Sequence, residues 1–142
     1  MHNAFSRTPV DDRTAAYIAE IHPRFEDLRQ VSAQLAGLLV LAASGSKSAS
    51  PDHPLLKSAR ELHRSTVDAL RGARPTERAQ QHHAALLQAT NALSEALNAA
   101  RDVDIDAVLA PLQAAHAHLQ RAANELPGFE MVEFKQGCCA VL

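Results

Sequence analysis

The chain has no tryptophan and five aromatic residues in all, Phe5, Tyr17, Phe25, Phe129 and Phe134. β-Branched residues are also sparse, so little favours a sheet. A long apolar run is missing: the stretch AGLLVLAA covers residues 36–43, far short of the roughly 20 residues of a membrane-crossing helix. The opening MHNAFSRTPVDDR lacks the apolar stretch of a secretory signal. Neither sign of charge dominates. With 14 Lys and Arg against 16 Asp and Glu the net charge is −2, which gives no electrostatic ground for binding nucleic acid or an anionic membrane. Cysteine is confined to Cys138 and Cys139. Neighbours in sequence cannot cross-link distant parts of a fold, so no secretory disulfide framework is expected. There is no Gly-rich phosphate loop and no internal repeat. These absences leave a single cytoplasmic domain, bacterial in its Ala/Arg/His-rich style.

What the chain has is alanine, about a fifth of its residues, and alanine favours helix. Apolar residues recur at three-four spacing in four stretches, about 11–44, 51–73, 76–102 and 104–126. The first carries Ile18, Ile21, Phe25, Leu28, Leu35, Leu39 and Ala42, with Asp11 and Asp12 as caps and Pro23 expected to kink or split it near His22. The second carries Leu55, Ala59, Leu62, Thr66, Ala69 and Ala73, with Ser50-Pro51 as its start. The third carries Ala79, His83, Leu86, Thr90, Leu93, Leu97 and Ala100. The fourth runs from Ile105 through Val108, Leu112, Ala115, Leu119 and Ala122 to Leu126, with Asp104 as cap and Pro127-Gly128 as stop. Short turns between such helices predict an all-α, up-down-up-down four-helix bundle with both chain ends at one end. The arm 127–142 is apolar enough to need cover, and the aromatics lie near the two termini. An aromatic cluster is therefore expected where the arm folds back on the first helix.

The candidate chemistry sits at that terminal end. Thiolates and imidazoles together bind soft metals, and the topology places His22, His82 and His83 in the same half of the molecule as Cys138 and Cys139. His116 and His118 share that half. No CxxC or HxxxH spacing supports the set, so this is an inference from topology. The cysteine pair also admits thiol redox sensing, with Lys135 as its nearest cation, or a C-terminal prenylation signal in CAVL. His63 and His83, on or beside the apolar stripes, read as hydrogen-bonded core residues before they read as ligands. Lys57, Arg60, Arg64 and Arg71 form a basic stripe that reads as a solvated face. No set of nucleophile, base and orienting residue emerges.

The sequence thus predicts a non-catalytic bundle that binds a partner protein or a small ligand. The alternative is Zn or Cu binding, or redox sensing, through the cysteine pair and nearby histidines. A homodimer is expected as well, because a long first helix would leave Tyr17, Ile18 and Ile21 overhanging a four-helix core.

Overall fold

A computed structural model describes residues 10–45, 53–102 and 104–131. Among these residues the chain forms four helices and no strand: α1 (Asp12–Ala43), α2 (Pro54–Gly72), α3 (Gln80–Arg101) and α4 (Asp106–Glu125). Sequence neighbours pack side by side, and α1 also contacts α4 and, across the core, α3. This is the four-helix bundle that the apolar spacing predicts. The pairing of α3 with α4 is the most extensive. Its buried faces hold Ala85, Ala89, Ala92, Ala96 and Ala100 on one helix and Ala115 and Ala122 on the other. Small side chains let two helix axes approach closely, so more of each helix is in contact.

The local signals explain where helices begin and end. The Asp11 carboxylate accepts from the Thr14 backbone N–H at 3.1 Å, so one donor of the first turn is satisfied. This hydrogen bond, with Thr14 as the main partner, holds the Asp11 pKa below its usual value. α1 passes through Pro23 as one helix, so of the two expected outcomes a split does not occur. Proline at this position deprives the Ala19 carbonyl of its donor, but Ala19 and Pro23 are both exposed, and solvent can replace that bond. α2 starts at Pro54, later than expected, with the His53 ring nitrogen Nδ1 accepting from the Leu55 N–H at 3.0 Å. The device of a cap followed by proline holds, whereas Ser50 and Pro51 lie outside the described residues. α3 begins at Gln80, four residues beyond the expected start. Asp104 does serve α4: its carboxylate accepts from the Ala107 N–H at 3.2 Å.

One helix is rotated from its expected face. In α2 the fully buried residues are Leu56, Ala59, Thr66 and Leu70, while Leu55, Leu62 and Ala69 are half-buried. The apolar positions at 55–56 and 69–70 are adjacent pairs, and the spacing alone does not choose between them.

The start of α1 and the segment that follows α4 meet at one end of the bundle. The Thr14 and Thr76 hydroxyls, 2.8 Å apart, tie the start of α1 to the α2–α3 connection. Beyond α4 the chain turns at Gly128, whose φ of 93° suits glycine, and Phe129 lands on α1. Its ring packs against Phe25 at 5.3 Å and against His22 at 5.7 Å between centroids. The arm therefore folds back as expected as far as Met131, while Phe5 and Phe134 lie outside the described residues. Tyr17 and Ile21, expected to overhang, are only 3% and 1% exposed within the single chain. The overhang that motivated a dimer through this surface is therefore filled by the chain itself.

Candidate functional site

Tyr17, the chain's single tyrosine, lies in the row Thr14, Tyr17, Ile21 and Phe25 that α1 buries. That row presents its hydroxyl to the first turn of α3. The hydroxyl lies 3.0 Å from His82 Nδ1 and 3.1 Å from His83 Nδ1. Adjacent residues on a helix point about 100° apart, so burying both imidazoles needs cover from two sides. α1 supplies one side. Leu70 of α2 lies on the other side, its backbone against His83, and Ala73 and Ala79 of the connection after α2 are buried as well.

The protons in this network can be assigned from its hydrogen bonds. His83 also bonds to the Leu70 backbone, a contact that favours its protonated form. A carbonyl only accepts, so His83 Nε2 carries the proton in the neutral ring and Nδ1 is a bare acceptor. Tyr17 then donates its O–H to His83. Its oxygen is left to accept, so His82 must donate from Nδ1–H. A neutral imidazole has one N–H, which leaves His82 Nε2 as a lone pair. That atom is buried and has no hydrogen-bond partner among the described residues.

Burial keeps the whole group uncharged at neutral pH. Desolvation, aided by neighbouring His83, pulls the His82 pKa down to about 4. Desolvation also lowers His83, against the opposing Leu70 contact. It raises Tyr17 far above its ordinary value, with Glu20 adding to the shift. Above the network lies Phe129. Its ring centroid is 4.1 Å from that of His82, and it is 2% exposed. Phe129 thus stands between His82, which is inside, and His22, which is exposed on the surface.

The five residues predicted from sequence for a metal site now separate. His22, His82 and His83 do gather at the terminal end, the first two around Phe129 and the third through Tyr17. His83 has both ring nitrogens engaged. His82 has one free, and Cys138 and Cys139 lie outside the described residues. Among the described residues, no three His, Cys, Asp or Glu side chains form a group that could hold a metal ion. His116 is exposed, and His118 bonds Arg121 at 2.9 Å through Nδ1. His63 donates to the Thr90 carbonyl at 2.9 Å, as a hydrogen-bonded core histidine does.

Sequence reasoning counted Tyr17 only as an aromatic and missed its polar role. The available signal was a lone tyrosine in a buried row, since a buried phenol generally finds a partner. The buried hydroxyls of Thr66 and Thr90 are spent on their own helices, bonding the Leu62 and Leu87 carbonyls. Lys57, Arg60 and Arg64 of the basic stripe line a shallow surface depression together with Glu61. Among the described residues, no helix is long and apolar enough to cross a membrane. Comparison of the chain with protein-family models, with curated proteins and with solved structures returns no match.

Proposed function

We propose that this chain is a non-catalytic, cytoplasmic binding protein whose working surface is the terminal end of the bundle, where a small ligand replaces Phe129 over His82. One observation carries the reading: His82 Nε2 is a buried ring nitrogen without a hydrogen-bond partner among the described residues. Such a group costs about 1–3 kcal/mol, and native interiors hold few of them. A bound state that supplies its partner accounts for its presence. The group covering it belongs to a short arm rather than to a bundle helix, and that arm turns at a glycine.

The test is an NMR titration of the full chain with a library of small molecules. The reading requires that binders shift the His82 ring and the Phe129 backbone together. It also requires that Phe129→Ala, which removes the internal occupant, tightens their binding several-fold. Binders that gather at the opposite end and leave His82 unmoved would overturn it.

A partner protein or a second copy of the chain is the reading favoured by that opposite end. There Val40 and Leu109 are 67% and 50% exposed, beside Leu39, Ala42, Ala43 and Ile105. Sedimentation that shows a dimer in the parent chain and a monomer in Leu109→Glu would support it. A parent chain that stays monomeric at high concentration would remove it.

A further inference from the structure

We propose that the small ligand completing His82 is a phenol, a neutral aromatic ring with a single hydroxyl, seated in place of the Phe129 ring and donating its O–H to His82 Nε2. The proposal rests on the binding surface described above and names the chemistry that fits it. Shape comes first. The Phe129 ring is tilted 40° to His82 at 4.1 Å, and 32° to His22 at 5.7 Å, between centroids. Phe25 meets it nearer edge-on, at 5.3 Å and 70°. Aromatic rings favour such offset and edge-to-face arrangements. The space that Phe129 fills is therefore a slot for one planar ring, with the buried His82 on its inner side and the exposed His22 on its outer side.

Polarity narrows the class. Tyr17 holds the His82 proton on Nδ1, at 3.0 Å, and is itself held by His83. Both are positioning residues, because together they leave Nε2 as a lone pair. That nitrogen is buried and has no partner among the described residues. The two rings are tilted rather than parallel, so one edge of a ring in the slot dips toward the imidazole plane, in which the lone pair lies. A lone pair requires a donor, and a carboxylate offers only acceptors. A cation would shed its hydration to join a group that burial keeps uncharged. An amino group would bring a second N–H that also needs a partner. A hydroxyl on a flat, neutral ring meets each of these conditions.

Phe129 shows that a six-membered ring fits, since its own ring is 2% exposed there. A phenol restores the apolar burial that the departing ring gives up, and its O–H adds the hydrogen bond that a phenyl group cannot make. Phe129 competes from within the chain, at the high effective concentration of a tethered group, so removing it strengthens binding. Burial alone ranks ligands the other way. Toluene has more apolar surface than phenol and would bind more tightly if the slot were only a hydrophobic hole. The order of these two compounds therefore reports on Nε2.

The experiment titrates the full chain and its Phe129→Ala variant with phenol, toluene and benzoate, following the His82 ring by 15N NMR. The expected result is that Phe129→Ala binds phenol about tenfold more tightly than toluene, the worth of one hydrogen bond, and binds benzoate more weakly than either. Bound phenol should shift Nε2 while Nδ1 keeps its proton. Adding Tyr17→Phe frees the tautomer and should remove most of the preference for phenol. If far-UV circular dichroism shows that Phe129→Ala does not fold, the parent chain at millimolar phenol decides by the same Nε2 shift. Toluene binding as tightly as phenol overturns the proposal, as does an unmoved Nε2 or a preference that survives Tyr17→Phe. If toluene or other small molecules still shift His82 and Phe129 of the parent chain together, the binding surface stands and only the ligand class was wrong. If none does, the surface reading fails with it.

Discussion

At the scale of single residues, the Tyr17 hydroxyl decides the chemistry of two histidines. Tyr17→Phe keeps the ring and removes one atom that joins both Nδ1 positions. Leaving buried polar atoms unsatisfied costs about 1–3 kcal/mol each, so the variant should lose about 2 kcal/mol or more, read as a lower urea midpoint. A loss under about 0.5 kcal/mol would show that the network contributes nothing. His82 adds a pH dependence. Its folded pKa of about 4 lies below the ordinary 6.5, so the unfolded chain binds the proton more readily. The stability this gives is complete above about pH 6.5 and is lost as pH falls toward 4, amounting to about 3 kcal/mol at 1.36 kcal/mol per unit. The groups facing this ring are Tyr17, His83 and Phe129. Urea unfolding across that range should therefore show a steep slope in the parent chain and a shallower one in His82→Leu. Equal slopes would place the pH sensitivity elsewhere.

At the scale of elements, α1 carries a cost that its surroundings tolerate. Proline in a helix interior is about 3 kcal/mol worse than alanine, partly offset because proline also restricts the unfolded chain. Pro23 is exposed, so its replacement leaves the core untouched. Pro23→Ala should raise stability by about 1–2 kcal/mol, seen as a higher melting temperature. An unchanged or lower melting temperature would mean that the arm needs the geometry proline imposes beside His22. The helix ends show how far local sequence reaches. Asp11, Asp104 and Gly128 act where their residue types predict, because a cap or a turn involves only a few neighbouring atoms. The start of α3 was misplaced, because residues 76–79 carry helix-compatible types. They are held instead as a turn, with Thr76 bonded to Thr14 of α1.

At the scale of the whole molecule, the buried faces meet along a core of leucine and alanine with an aromatic and imidazole cluster at one end. Leu93, on α3, is wholly buried, whereas Lys57 is exposed on α2. Leu93→Ala should cost about 2–5 kcal/mol through lost burial and the cavity left behind. Lys57→Ala should stay within about 0.5 kcal/mol. Similar urea midpoints for the two variants would mean that α3 presents a different face to the core.

The helical class, the antiparallel order and the return of the arm were legible in the sequence. Apolar period, turn residues and connection length are local properties, and short connections leave helices few ways to pack. The gathering of His22, His82 and His83 at one end was legible for the same reason. The face of α2 was not, since adjacent apolar pairs at 55–56 and 69–70 satisfy the period equally well and only packing against α1 and α3 chooses between them. The roles within the histidine group were not legible either. His82 and His83 are the same residue type at neighbouring positions, and nothing local distinguishes their nitrogens. Their difference comes from Tyr17, 65 and 66 residues away in sequence, and from the Leu70 backbone. A hydrogen bond between distant residues exists only once the chain is folded. Which imidazole is spent on structure and which keeps a free lone pair was therefore decided by tertiary packing alone.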